Sequence, residues 1–109
     1  MLARAEAADP KLESKFLAGA YNAIGDYYQG LEKLPEARGY FEKGIKASKT
    51  GRDAAYARIS IAACLMSERK PKDAAPYLEA ILAQKDAPQD IATDAKRMLA
   101  QVNAGSKGG

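Results

Sequence analysis

The chain has 109 residues, 47% of them hydrophobic, with 17 Lys plus Arg against 14 Asp plus Glu and a net charge of +3. That is enough apolar material for the core of one small folded domain. It is too even a charge for the clustered basic face that grips nucleic acid or anionic lipid.

Apolar residues recur at helical spacing along the chain, and strand alternation is absent. Breaks at Asp9-Pro10, Gly30 to Pro35, Lys49-Thr50-Gly51, Arg69 to Lys72 and Lys85 to Pro88 divide it into six predicted helices, near 2–8, 12–29, 35–48, 53–68, 72–84 and 89–103. The first opens inside "MLARAEAADPK", which has no hydrophobic core long enough for a signal peptide, and no stretch approaches a membrane span, so the compartment stays open. The second carries Leu17, Ala20, Tyr21, Ile24 and Tyr28 at apolar positions, and the third Tyr40, Phe41, Gly44 and Ile45. In the fourth, Cys64 lies within "ISIAACLM", where a lone thiol behaves as a small hydrophobe. The fifth has Pro76 about one turn in, at a cost of at most one hydrogen bond. The sixth offers Ile91, Ala95, Met98, Leu99 and Val102 inward and Gln89, Asp90, Asp94, Lys96, Arg97 and Gln101 outward, the pattern of a terminal cap. A flexible Gly-rich tail is expected over 104–109.

Internal repetition organises these helices. Ala18, Ala55 and Ala92 stand at a constant offset of 37 residues. In that register Ile24 falls on Ile61 and Met98, Gly25 on Ala62, Tyr28 on Leu65, Ala37 on Ala74, Tyr40 on Tyr77, Phe41 on Leu78 and Glu42 on Glu79. Two helices per unit, repeated, predict an all-α solenoid of antiparallel helix hairpins.

The spacing Tyr21-x2-Ile24-Gly25-x2-Tyr28, followed by Ala37-x3-Phe41, resembles the tetratricopeptide repeat (TPR), whose pattern is an aromatic, Leu-Gly, Tyr, Ala and Phe at those intervals. Small residues at 25 and 37 let the two helices of a hairpin cross closely, with the aromatics filling the space beside them. The first unit, 18–51, fits well; the second, 55–88, is degenerate, with Arg58 in place of the aromatic, Ala62 of the Gly, Leu65 of the Tyr and Leu78 of the Phe. The resemblance implies a right-handed TPR-like superhelix over 1–103, with 89–103 as capping helix and the N-terminal stub as the end of a preceding unit. Because Met1 begins inside a predicted helix, either the chain is part of a longer array or its first helix leans on another molecule.

In proteins of this family the concave face, lined by the first helix of each hairpin, takes a peptide or helix of a partner protein. The matching stripe is Asn22, Asp26 and Gln29, then Ile59, Ala63 and Met66, then Lys96, with Tyr56 and Arg97 beside it. Ile59 and Met66 lie off the packed positions, so a segment with a hydrophobic anchor and an acidic end complements the stripe. The family's clamp for acidic chaperone tails needs lysines, and Asn22, Asp26, Tyr56 and Ser60 stand at the matching positions, which argues against that ligand. The alternative is homo-oligomerisation through the open N-terminal end or the groove.

Catalysis has little foothold. There is no His to act as a general base, the single Cys has no partner to activate it, and the carboxylates are scattered along helix faces and ends. Neither GxGxxG nor GxxxxGK occurs, and no Cys or His cluster marks a metal, so no cofactor is expected. The run "ERKPK" reads as an inter-helix turn, since no aromatic stacking residues accompany it for nucleic acid.

Overall fold

A computed structural model describes residues 10–108, with side-chain surroundings for 12–105. Five helices follow one another with no strand among the described residues: α1 (Pro10–Gly30), α2 (Leu34–Ala47), α3 (Gly51–Ser67), α4 (Pro71–Ala83) and α5 (Gln89–Gly108). The helix expected over 2–8 lies outside the described residues. Helical geometry in α5 continues to Gly108, past the expected end at 103 and through most of the stretch expected as a flexible tail. No proline interrupts "NAGSKG", and glycine disfavours a helix without breaking it.

The 37-residue offset reappears in the backbone. After α1, the Lys33 N–H bonds to the Tyr28 carbonyl and the Glu32 N–H to that of Gln29, both at 2.9 Å. After α3, Lys70 bonds to Leu65 at 2.8 Å and Arg69 to Met66 at 3.0 Å. Each pair is a Schellman turn, which requires a left-handed residue after the helix. Glu32 (φ 60°) and Arg69 (φ 64°) fill that role without being glycine. α2 and α4 then start alike, with Pro35 and Pro71 in the first turn, where a missing N–H costs nothing, and Glu36 and Asp73 at the positive end of the helix dipole. Unrelated side chains thus adopt the same helix-ending turn 37 residues apart.

The helices pack in chain order, each against the next, and α3 also touches both α1 and α5. The body measures 59 × 31 × 17 Å. Its core runs through Ala37, Phe41, Ala55, Ile61, Ala62, Leu65, Ala74, Leu78, Ile81, Ile91, Ala95 and Val102. At the α1–α2 crossing the Phe41 ring lies over Gly25, where a Cβ would come within 2.7 Å of it. The equivalent α3–α4 crossing uses Ala62 and Leu78, both fully buried, trading a smaller floor and flat ring for a methyl and a branched chain. Cys64 is buried, and burial pushes its thiol up, as suits a packing residue. α5 turns Ile91, Ala95 and Val102 inward and leaves Gln89, Asp90, Asp94, Lys96, Arg97 and Gln101 exposed, as the cap pattern predicts.

Polar groups tie the units together. Arg38 donates through Nε (2.6 Å) and Nη2 (2.9 Å) to both carboxylate oxygens of Glu68, the residue after α3. Tyr77 of α4 donates its hydroxyl to Glu42 of α2. Arg58, the residue that breaks the aromatic position of the second unit, donates to Gln84 Oε1 at 2.7 Å, and Gln84 in turn donates to the Gly51 carbonyl at 2.9 Å. Arg58 thus ties the middle of α3 to the loop after α4, and Gln84 ties that loop to the start of α3.

Candidate functional site

α1 and α3 touch, as do α3 and α5, so the predicted stripe falls on three neighbouring helices. α1 and α3 are joined where Tyr56 donates to Asp26 Oδ1 at 2.6 Å and where Asn22 Nδ2 donates to the Asp53 carbonyl at 3.0 Å. α3 and α5 are joined more loosely, by the exposed pair Arg52–Asp90 at 3.2 Å.

Along that stripe the residues differ in availability. Asn22 is 5% exposed, so it is a joint between helices and not an open contact position. Its Oδ1 has no hydrogen-bond partner and sits where a Cβ on Gly44 would come to 2.6 Å. Sequence periodicity read Asn22 as outward because α1 alone does not reveal that α2 and α3 both close over it. Asp26 is exposed, Gln29 and Tyr56 are half-buried, and burial, then the hydrogen bond to Asp26, raises the Tyr56 hydroxyl above its ordinary range. Ile59, Ala63 and Met66 are half-buried, with Ile59 and Met66 leaning on the core, so they present a modest apolar strip. Lys96 and Arg97 are exposed, and Arg97 pairs with Asp94 at 3.0 Å.

The largest exposed apolar side chains lie elsewhere. Phe16 is 72% exposed, Tyr27 64%, Leu12 53% and Leu31 49%, all on α1 or just after it, with Leu17 and Ile24 beside them. Leu17, Ala20 and Ile24, which helical spacing marks as apolar positions of the helix, are exposed. Their helical spacing is visible in the sequence; that no helix among the described residues covers them is not. A depression of 450 Å³ lies against this face, lined by Leu12, Lys15, Phe16, Gly19, Ala20 and Asp53.

Among the described residues no helix is long and apolar enough to cross a membrane, and no three acidic, His or Cys side chains come together as a metal site would need. Compared with protein-family models, curated proteins and solved structures, the chain matches none.

Proposed function

We propose that this protein is a non-catalytic, TPR-like helix-hairpin repeat module that binds a peptide or helix of a partner protein along the face of its first helices. The observation that carries the repeat reading is the pair of Schellman turns at Glu32 and Arg69, set 37 residues apart. Hairpins stacked in that way bury their faces only against neighbours and leave an extended face for contact. On it, the strip of Ile59, Ala63 and Met66 supplies an apolar anchor site of about one side chain, and exposed Lys96 and Arg97 supply positive charge toward the α5 end. Asp26 and Gln29 border the strip at the other end, so the ligand is an extended segment with a hydrophobic residue followed by acidic ones. Selection of displayed peptides on the purified protein tests this. The selected peptides are expected to share that pattern and to lose at least about tenfold in affinity on Met66→Glu, a change of about 1.4 kcal/mol. Peptides that bind Met66→Glu unchanged, or that lose binding on Phe16→Glu instead, contradict it.

A second reading, self-assembly, is favoured by the outward apolar face of α1.

A further inference from the structure

We propose that two copies of this chain pair through the outward face of α1, antiparallel and about a twofold axis that passes between Tyr21 and Asn22. This rests on the self-assembly reading and is independent of peptide binding at the α3 face.

The amount of surface is the first support. Taking about 200 Å² for a large side chain, the exposed fractions of Leu12, Phe16, Leu17, Ile24, Tyr27 and Leu31 leave roughly 600 Å² of apolar surface on each copy. Doubled, that reaches the lower bound of specific interfaces, near 1,200 Å². Glu13 is the charged residue within that apolar spacing, and exposed Lys15 and Asp26 flank it.

The order of sizes along the stripe is the second. In an antiparallel pair centred between residues 21 and 22, Leu12 faces Leu31, Phe16 faces Tyr27, Gly19 faces Ile24 and Ala20 faces Ala23. Large side chains meet large ones at both ends, Gly19 leaves room for Ile24, and Ala20 meets Ala23 at the crossing. A Cβ added to Gly19 would meet nothing within 4 Å, so the space over it is open to a second copy. A helix with small residues at its centre and bulky ones at each end is complementary to itself in the reversed direction, the condition for an isologous twofold contact.

The depression beside α1 is the third. Its walls are Leu12, Phe16, Gly19 and Ala20, with Lys15 and Asp53 as its polar groups. In the same register it lies opposite Tyr27 of the second copy. A phenol has an apolar body and a polar tip, so it fits an apolar hollow with a charged rim. Residues 1–9 suit the face less well. A helix over 2–8 would be about 11 Å long against about 28 Å from Leu12 to Leu31 at 1.5 Å per residue.

Two measurements test the proposal. Light scattering of the full chain from about 1 μM to 1 mM should show a concentration-dependent dimer. Phe16→Glu, at a site 72% exposed, should keep its helical circular dichroism and stay monomeric. Oxidation of copies carrying Ala20→Cys mixed with copies carrying Ala23→Cys should give the mixed disulfide faster than either alone, while buried Cys64 stays unreactive. A dimer that survives Phe16→Glu, or one without the mixed-disulfide preference, overturns the α1 pairing and leaves self-assembly standing. A monomer at every concentration overturns both. Alkylation of Phe16→Cys in that monomer then shows whether the face is open: slow reaction means that the chain itself covers it, fast reaction that it stands free.

Discussion

Replacing Gly25 with alanine adds one methyl group at the closest crossing in the molecule, and two opposing effects decide the result. In a helix interior alanine is favoured over glycine by about 0.5–1 kcal/mol, because glycine loses more backbone freedom on folding. Against that, the new Cβ would stand 2.7, 2.8 and 2.9 Å from three atoms of the Phe41 ring. Ordinary carbon contacts are about 3.5–4.0 Å, so the ring has to move by close to 1 Å. It has little room to do so. Phe41 is fully buried and meets the Tyr56 ring edge-on at 6.3 Å, and Tyr56 is anchored to Asp26. Overpacking of this kind costs about 1–3 kcal/mol, which exceeds the helix gain, so net destabilisation of about 0.5–2 kcal/mol is expected. Gly39→Ala is the control, since Gly39 is exposed in α2 and its Cβ would meet nothing within 4 Å. It should gain the full helix term of about 0.5–1 kcal/mol. Urea unfolding followed by circular dichroism measures both. A Gly25→Ala protein as stable as Gly39→Ala would refute the crossing described here.

Three further outcomes follow from particular contacts. Gly44→Ala should cost about 1–2 kcal/mol by overpacking, because its Cβ would meet Asn22 Oδ1 at 2.6 Å while Asn22 is held by the Asp53 carbonyl; denaturant melts check it. Arg69→Gly should stabilise by about 0.5–1 kcal/mol, since glycine takes the left-handed conformation without the strain that arginine bears at φ 64°, and Glu32→Gly should do the same, as a thermal melt would record. The Glu68 carboxyl is held below its ordinary value of 4.5, chiefly by the hydrogen bonds from Arg38. A lowered folded value means that its contribution is complete above the unfolded value and fades as pH falls through the folded one. Wild type should therefore exceed Glu68→Gln by about 0.5–1.5 kcal/mol at neutral pH and lose that margin in acid; an unchanged margin near pH 3 would contradict the pair.

Much of the fold was legible because repetition and periodicity are properties of the sequence itself. The 37-residue offset, the hairpin boundaries and the inward residues of α5 needed no tertiary information. What was hidden depends on neighbours in space. The left-handed turn residues carry no sequence mark, since Glu32 and Arg69 stand where glycine is the usual choice. Arg58 read as a defect in the pattern until its bonds to Gln84 and the Lys49 carbonyl placed it between two loops. Asn22 read as surface because a polar residue on an amphipathic helix defaults outward, whereas α2 and α3 enclose it. The strip at Ile59 and Met66 is half-buried where its register predicts exposure, and the exposed face of α1 with Phe16 and Tyr27 goes unmarked in the sequence, because periodicity alone does not show which apolar stripe a neighbour covers.

The most direct test of the interaction module is to titrate a selected peptide into isotope-labelled protein and follow the backbone amide shifts by NMR. Binding along the first-helix face predicts perturbations concentrated over Tyr56 to Met66 of α3 and reaching Lys96 and Arg97 of α5. Shifts confined to residues 12–31 of α1, or spread along the α2 and α4 surfaces, would contradict it.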